Sequence, residues 1–234
     1  MGSILEALSP EQQIACSTQN NILLTACPGS GKTRTLTHRL AYQVLRDPAS
    51  KKIKIAITYT NRAAEEITNR LEGMNIDQSS IWAGTIHQFC MHFIIRPYAM
   101  YSKRLCKGYR IIDDYSKKAY GREIAERLGM HLNYYDDPFQ YENVRTEYKR
   151  VLKEKKEIDF DAILLISEEL LASCAFIGSN IASVISSILV DEFQDTNELQ
   201  YSILSTIYKA NKSIILMFVG DVNQAIYSSL GGVA

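Results

Sequence analysis

Ala26-Cys27-Pro28-Gly29-Ser30-Gly31-Lys32-Thr33 lies between the apolar run Asn21-Ile22-Leu23-Leu24-Thr25 and a helical pattern that begins at Arg34. A strand, a loop of small residues, Gly-Lys-Thr and then a helix is the order of a phosphate-binding loop. Small residues at 26, 29 and 31 let backbone N–H groups turn inward, Lys32 neutralises phosphate charge, and the Thr33 hydroxyl can ligate Mg²⁺. The N-terminal dipole of the following helix adds to the cradle. Ala26 stands where the usual pattern has its first glycine, but the strand–loop–helix context restores the match. The loop therefore predicts a nucleoside triphosphate, with Mg²⁺ as its metal.

Outward from the loop, apolar periodicity alternates: strand 22–26, helix 33–46, strand 53–59, helix 61–72, strand 80–84, helix 86–95, then strand 186–191, helix 197–209 and strand 213–219. Such alternation predicts an α/β fold with a parallel sheet flanked by helices, whose ligands gather at the carboxyl ends of the strands. Between 97 and 185 the chain turns helix-rich, tyrosine-rich and strongly charged, which predicts a helical inserted subdomain between core segments 1–96 and 186–234. No stretch approaches the roughly 18 apolar residues of a membrane span, and the first residues lack a signal peptide's basic region. These features predict a cytoplasmic protein with no membrane partner. Lys+Arg and Asp+Glu balance at 26 each, so only local patches can speak for a polyanionic partner. The five cysteines are odd in number and lack a C-x-x-C pair, which argues against a disulfide framework or zinc site.

A second strand, Ile188-Leu189-Val190, delivers Asp191 and Glu192, followed by Phe193-Gln194-Asp195. Asp191 is expected to hold Mg²⁺ and Glu192 to orient and deprotonate the attacking water. A lone Asp-Glu pair often just opens a turn; its pairing with the loop at 26–33 favours the chemical role. The strand near 213–219 runs into Gly220-Asp221-Val222-Asn223-Gln224, where the Gln224 amide could hydrogen-bond a γ-phosphate. Leu8-Ser9-Pro10-Glu11-Gln12 begins a helix with Ser9 as N-cap and Pro10 at its first position, and the Gln12 amide could read an adenine edge.

In these blocks the chain resembles the N-terminal portion of a UvrD/Rep-type superfamily 1 DNA helicase, with a RecA-like P-loop core. Besides the Leu8–Gln12, Ala26–Thr33 and Val190–Asn197 blocks, the resemblance rests on Thr58-Tyr59-Thr60-Asn61-Arg62-Ala63-Ala64-Glu65-Glu66-Ile67, Gly84-Thr85-Ile86-His87-Gln88-Phe89-Cys90, and Val219-Gly220-Asp221 with Gln224-Ala225-Ile226-Tyr227. It implies an ATP site made by Gln12, the loop 26–33 and Arg34, metal ligation by Thr33 and Asp191, and catalysis by Glu192, Lys32 and Gln224. It implies single-stranded or partly duplex DNA across Tyr59, Thr60, Asn61, Arg62, Thr85 and His87, and 3′-to-5′ translocation. Tyr59 stands where the family usually has Phe, and its ring could stack on a base. Outside the resemblance, Tyr59 reads as a packed strand-end aromatic and His87 as an ordinary helix-start residue.

Two departures bear on activity. Ser229 and Leu230 occupy positions where the family commonly has an aromatic residue and arginine, and the sequence ends at Ala234 before any second RecA-like domain. Arginine fingers from later motifs are worth roughly 10³- to 10⁵-fold in rate, so the chain is expected to be the first part of a longer helicase and a poor ATPase alone. The competing expectation is a UvrD-like regulatory ATPase subunit of a nuclease or defence complex that senses DNA or nucleotide without processive unwinding, with a nuclease or repair protein as partner; a P-loop kinase is disfavoured by Glu192 and by the blocks around Tyr59 and Thr85. Arg145, Lys149, Arg150, Lys153, Lys155 and Lys156 form a basic stretch, with Glu147, Glu154 and Glu157 interleaved, which fits either a DNA stripe or a solvated helix. Cys27 inside the loop carries a further expectation, an oxidation-sensitive brake, against the simpler reading of an inert small residue.

Overall fold

The computed structural model describes residues 2–27, 29–133 and 135–221. Its strands are β1 (Ile22–Thr25), β2 (Ile53–Thr58), β3 (Ile81–Thr85), β4 (Arg110–Ile111), β5 (Glu157–Ile158), β6 (Ile185–Val190) and β7 (Ile215–Gly220). The helices are α1 (Gly2–Leu5), α2 (Pro10–Ser17), α3 (Lys32–Arg46), α4 (Asn61–Gly73), α5 (Ile86–Phe89), α6 (Arg96–Tyr98), α7 (Asp114–Arg127), α8 (Glu142–Lys155), α9 (Phe160–Ser173), α10 (Ala175–Val184) and α11 (Glu198–Ala210). Two compact units emerge, one from 1–89 with 171–234 and one from 90–170. The segment from Leu171 to Ile185, expected within the insertion, groups with the sheet unit.

The sheet unit is the expected α/β layer. Five strands run in the order β1-β7-β6-β2-β3, and each neighbouring pair is parallel. Central strands buried on both faces read as continuous apolar runs, as Ile188-Leu189-Val190 does. Leu36, Leu40, Ala56, Ile67, Leu71, Leu189, Met217 and Val219 form one core, joining α3 and α4 to β2, β6 and β7. Because all five strands point the same way, their carboxyl ends share one edge, which receives Ala26, Tyr59, Ile86, Asp191 and Asp221.

Three features differ from expectation for physical reasons. The helix expected over 86–95 is α5 followed by a π-helical stretch, Cys90–Ile95, just ahead of Pro97, whose ring and missing N–H disfavour regular α-helix. The last strand starts at Ile215 because Asn211 Oδ1 accepts from both the backbone N–H and the hydroxyl of Ser213, drawing that residue into a turn. The insertion also contains the two-residue parallel pair β4–β5, too short to show as a period.

In the helical unit, Ile124, Ala125, Val144, Tyr148, Val151 and Leu152 bury the contact between α7 and α8. Among the described residues no helix is long and apolar enough to cross a membrane. Leu189 is fully buried beneath the loop-bearing edge. Leu189→Ala should lower unfolding free energy by about 2–5 kcal/mol in urea denaturation; a decrease below about 1 kcal/mol would show that this core is not closely packed.

Candidate functional site

The phosphate loop is held open by its glycines. Gly29 (φ +78°) and Gly31 (φ +87°) adopt the left-handed conformation, and Gly31 is the N-cap of α3. The Ala26 N–H donates to the Gly220 carbonyl at 3.1 Å, tying the loop to the end of β7. Lys32 opens α3 with its side chain largely buried, and Nζ donates across the loop to the Ala26 carbonyl at 3.1 Å. Cys27 is exposed. Pro28 lies outside the described residues.

Asp191 leaves β6 at the same edge, its N–H donating to the Ile57 carbonyl at 2.8 Å. The Thr33 hydroxyl donates to Asp191 Oδ2 at 3.0 Å, closing a contact across 158 positions of sequence. Asp191 Oδ1 accepts the Glu192 N–H at 3.1 Å. Asp191 is only 6% exposed, and burial pushes its carboxyl above the ordinary carboxylate value. The Thr33 hydrogen bond pulls the other way, Glu192 adds to the rise, and Lys32 opposes it weakly. A hydroxyl and a carboxylate here offer oxygen donors of the hard kind that Mg²⁺ prefers, and the ionised carboxylate lacks full compensation without a cation.

Glu192 sits at φ +50°, an uncommon backbone for a residue with a side chain. Its carboxylate Oε2 accepts the Gln194 Nε2–H at 2.6 Å. Gln194, missed as a functional residue, is thus bonded to the catalytic candidate; its position two residues after Glu192 was the available signal. Gln224 lies outside the described residues, as do Ser229 and Leu230.

Gln12 reaches the loop in an unexpected way. Ser9 and Gln12 form a reciprocal capping box, with the Ser9 N–H donating to Gln12 Oε1 at 3.1 Å, and Gln12 Nε2 donates to the Ser30 carbonyl at 3.1 Å. Each end of the amide is therefore engaged by protein, leaving one N–H and one lone pair for a base unless these bonds exchange. Arg34 donates to the Ala7 carbonyl at 2.8 Å, joining the segment before α2 to α3.

The residues expected to meet DNA divide into groups. Tyr59, Thr85 and His87 line one cavity of about 320 Å³ with Asp191 and Glu192. Tyr59 is 67% exposed, so it is not the packed aromatic of the simpler reading. Asn61 lines a different cavity of about 440 Å³ beside Glu65, Thr68 and Gln88. Thr60 is the N-cap of α4, accepting from the Ala63 N–H at 3.2 Å, and Thr85 caps α5 through reciprocal bonds with Gln88. Arg62 is exposed, with no side-chain hydrogen bond or ion pair among the described residues.

Within the helical unit the basic stretch has two faces. Arg145 pairs with Glu142, and Arg150 with Glu147 and Glu154. Lys149 and Lys153 line a cavity of about 1120 Å³ together with Lys103, Arg104 and Arg145 and with the acids Asp114, Asp137 and Asp161, and cations outnumber acids around it. Arg150 thus belongs to a solvated, ion-paired side of the helix, whereas Arg145, Lys149 and Lys153 border a cavity of mixed, predominantly positive charge.

The sign of the Asp191 effect is fixed by its raised value. Protonated Asp191 favours the fold at low pH, and that contribution is lost as pH rises through the raised value, so near pH 7 the ionised group opposes folding. Asp191→Asn should therefore melt above the wild type near pH 7 without metal or nucleotide, with the gap closing as pH falls. A lower melting temperature at pH 7 would contradict this account.

Residues 11–230 match the family model described as an AAA domain. The chain is 28% identical to the ATP-dependent DNA helicase PcrA of Leuconostoc citreum, over 92% of this chain and 32% of the relative. It is 28% identical to DNA helicase II of Escherichia coli K12, over 97% of this chain and 35% of the relative. With PcrA of Staphylococcus aureus Mu50 the identity is 27%, over 99% and 35%. The chain spans about a third of the length of these curated relatives. With its parallel sheet, its phosphate loop after β1 and its acids after β6, the chain belongs to the AAA domain family, as a relative of the UvrD- and PcrA-type helicases.

Proposed function

We propose that this chain is the ATP-binding motor portion of an ATP-dependent DNA helicase that moves 3′ to 5′ on single-stranded DNA. The observation that carries the reading is the 3.0 Å contact of Thr33 with Asp191, which puts the phosphate loop and the paired acids in one site. The names of the relatives support the choice of DNA as track.

In this reading Lys32 Nζ leaves the Ala26 carbonyl for the β- and γ-phosphates, and inward N–H groups of residues 29–33 hold the remaining phosphate oxygens. Thr33 and Asp191 would hold Mg²⁺, which would offset phosphate charge. Glu192 accepts a proton from water as its oxygen bonds to the γ-phosphorus and the bridging P–O bond breaks, releasing ADP and phosphate. Gln12 exchanges its bond to Ser30 for the adenine edge. Tyr59, exposed beside the cavity that reaches Glu192, offers a stacking face worth about 1–3 kcal/mol per base and tolerant of sequence.

Lys32→Ala should weaken binding of a fluorescent ATP analogue by roughly tenfold or more. Glu192→Gln should retain binding and abolish DNA-stimulated phosphate release. Unchanged ATP affinity in Lys32→Ala, or full turnover in Glu192→Gln, would overturn the reading.

The cationic face of α8 gives a separate expectation. Replacing Lys149 and Lys153 by Ala should reduce the log–log salt slope of single-strand affinity by about 0.7 for each phosphate that is no longer neutralised, whereas Arg150→Ala should leave it unchanged. Equal effects from both changes would show that ion pairing does not divide the helix.

A further inference from the structure

The Gln194 amide joins two parts of the site. Its Nε2–H donates to Glu192 Oε2 at 2.6 Å, and its Oε1 accepts the Asp221 backbone N–H at 3.1 Å. The residue is 8% exposed, on the 3₁₀ turn Phe193–Asp195. That turn is closed by the Asp195 N–H to the Glu192 carbonyl at 3.0 Å. The bond to Asp221 is buried and that to Glu192 partly buried, so losing either partner would leave a costly unsatisfied polar group.

The end of β7 is fitted to this turn. A Cβ on Gly220 would collide with Gln194 Oε1 and fall 2.5 Å from Phe193 Cδ1, so a side chain there would have to displace the amide and the ring. Phe193 and Phe218 pack edge to face at 6.4 Å between centroids, fixing the turn against β7. The Gly220 carbonyl also accepts the Ala26 N–H of the phosphate loop. Residues 220 and 221 therefore contact the phosphate loop through one bond and Gln194 through another.

We propose that Gln194 is a positioning residue: it fixes the Glu192 carboxylate through its N–H and makes that carboxylate responsive to the end of β7 through its carbonyl. The proposal rests on the reading of Glu192 as the group that accepts the proton of the attacking water. Held by Gln194 at Oε2, Glu192 keeps Oε1 for that proton, while its left-handed backbone limits other ways of presenting the carboxylate. A displacement of the end of β7 reaches Glu192 through a single amide.

The test combines single-turnover ATP hydrolysis on single-stranded DNA, ATP-analogue affinity, and the ¹³C carboxyl resonance of Glu192. Gln194→Met keeps length but removes donor and acceptor, and Gln194→Glu replaces the donor with a second carboxylate. Gln194→Met should slow hydrolysis about ten- to hundredfold with affinity within about twofold, and cause no further decrease in a Glu192→Ala background. It should also shift the Glu192 resonance, and Gln194→Glu should slow hydrolysis at least as much. Parallel decreases of rate and affinity, a full multiplicative decrease in Glu192→Ala, or an unmoved resonance would overturn the proposal. If Gln194→Met fails to fold, the Gln194 side-chain amide signal is followed in Glu192→Ala, where it must shift. Absence of nucleotide binding together with a responsive Glu192 resonance would remove the ATP reading while upholding the coupling.

Discussion

The hydrogen bond from Thr33 to Asp191 depends on the sheet being parallel. Thr33 follows β1 and Asp191 follows β6, with β7 lying between those strands. Only when all three strands end on one edge can residues so distant in sequence meet at 3.0 Å. The core beneath that edge, from Leu36 to Val219, supplies the rigidity that a short polar contact cannot supply for itself. An antiparallel neighbour would carry the same acids to the opposite end of the sheet.

The site's polar groups satisfy one another. Lys32 rests on the Ala26 carbonyl, Gln12 on Ser9 and Ser30, Thr33 on Asp191, and Gln194 on Glu192 and Asp221. The buried and partly buried bonds among them, those of Lys32, Thr33 and Gln194, offset desolvation that would otherwise weaken the fold. Binding of a phosphate ligand then exchanges existing bonds for stronger charge-assisted ones. Asp191 is the exception, because burial works against its ionised form and its surroundings offset this only in part. The least comfortable group is also the one best suited to a hard cation.

The helical unit solves a different electrostatic problem. Along α8, Glu residues three and four positions away pair with Arg145 and Arg150, while Lys149 and Lys153, together with Arg145, border a cavity where cations outnumber acids. Overall neutrality therefore conceals a local concentration of positive charge. Such a surface attracts a polyanion over a range set by ionic strength, independently of the chemistry at the phosphate loop.

Sequence alone determined the sheet's alternating elements, the phosphate loop and the apolar strand ending in Asp191-Glu192, because these are encoded in local period and spacing. It also supplied the Ser9 cap, since capping is a contact over three residues. Tertiary structure alone decided that Lys149 and Arg150, adjacent in sequence, serve different surfaces, because helical geometry and partner positions separate them. It likewise decided that the Gln12 amide is occupied by the loop, and that Asn61 lines a cavity apart from Tyr59. Gln194 shows the division most clearly: its letter sits in the motif, but its link to Asp221 requires β7 to lie beside β6. Local patterns record what a residue can do; the packing of distant strands fixes which partner it meets.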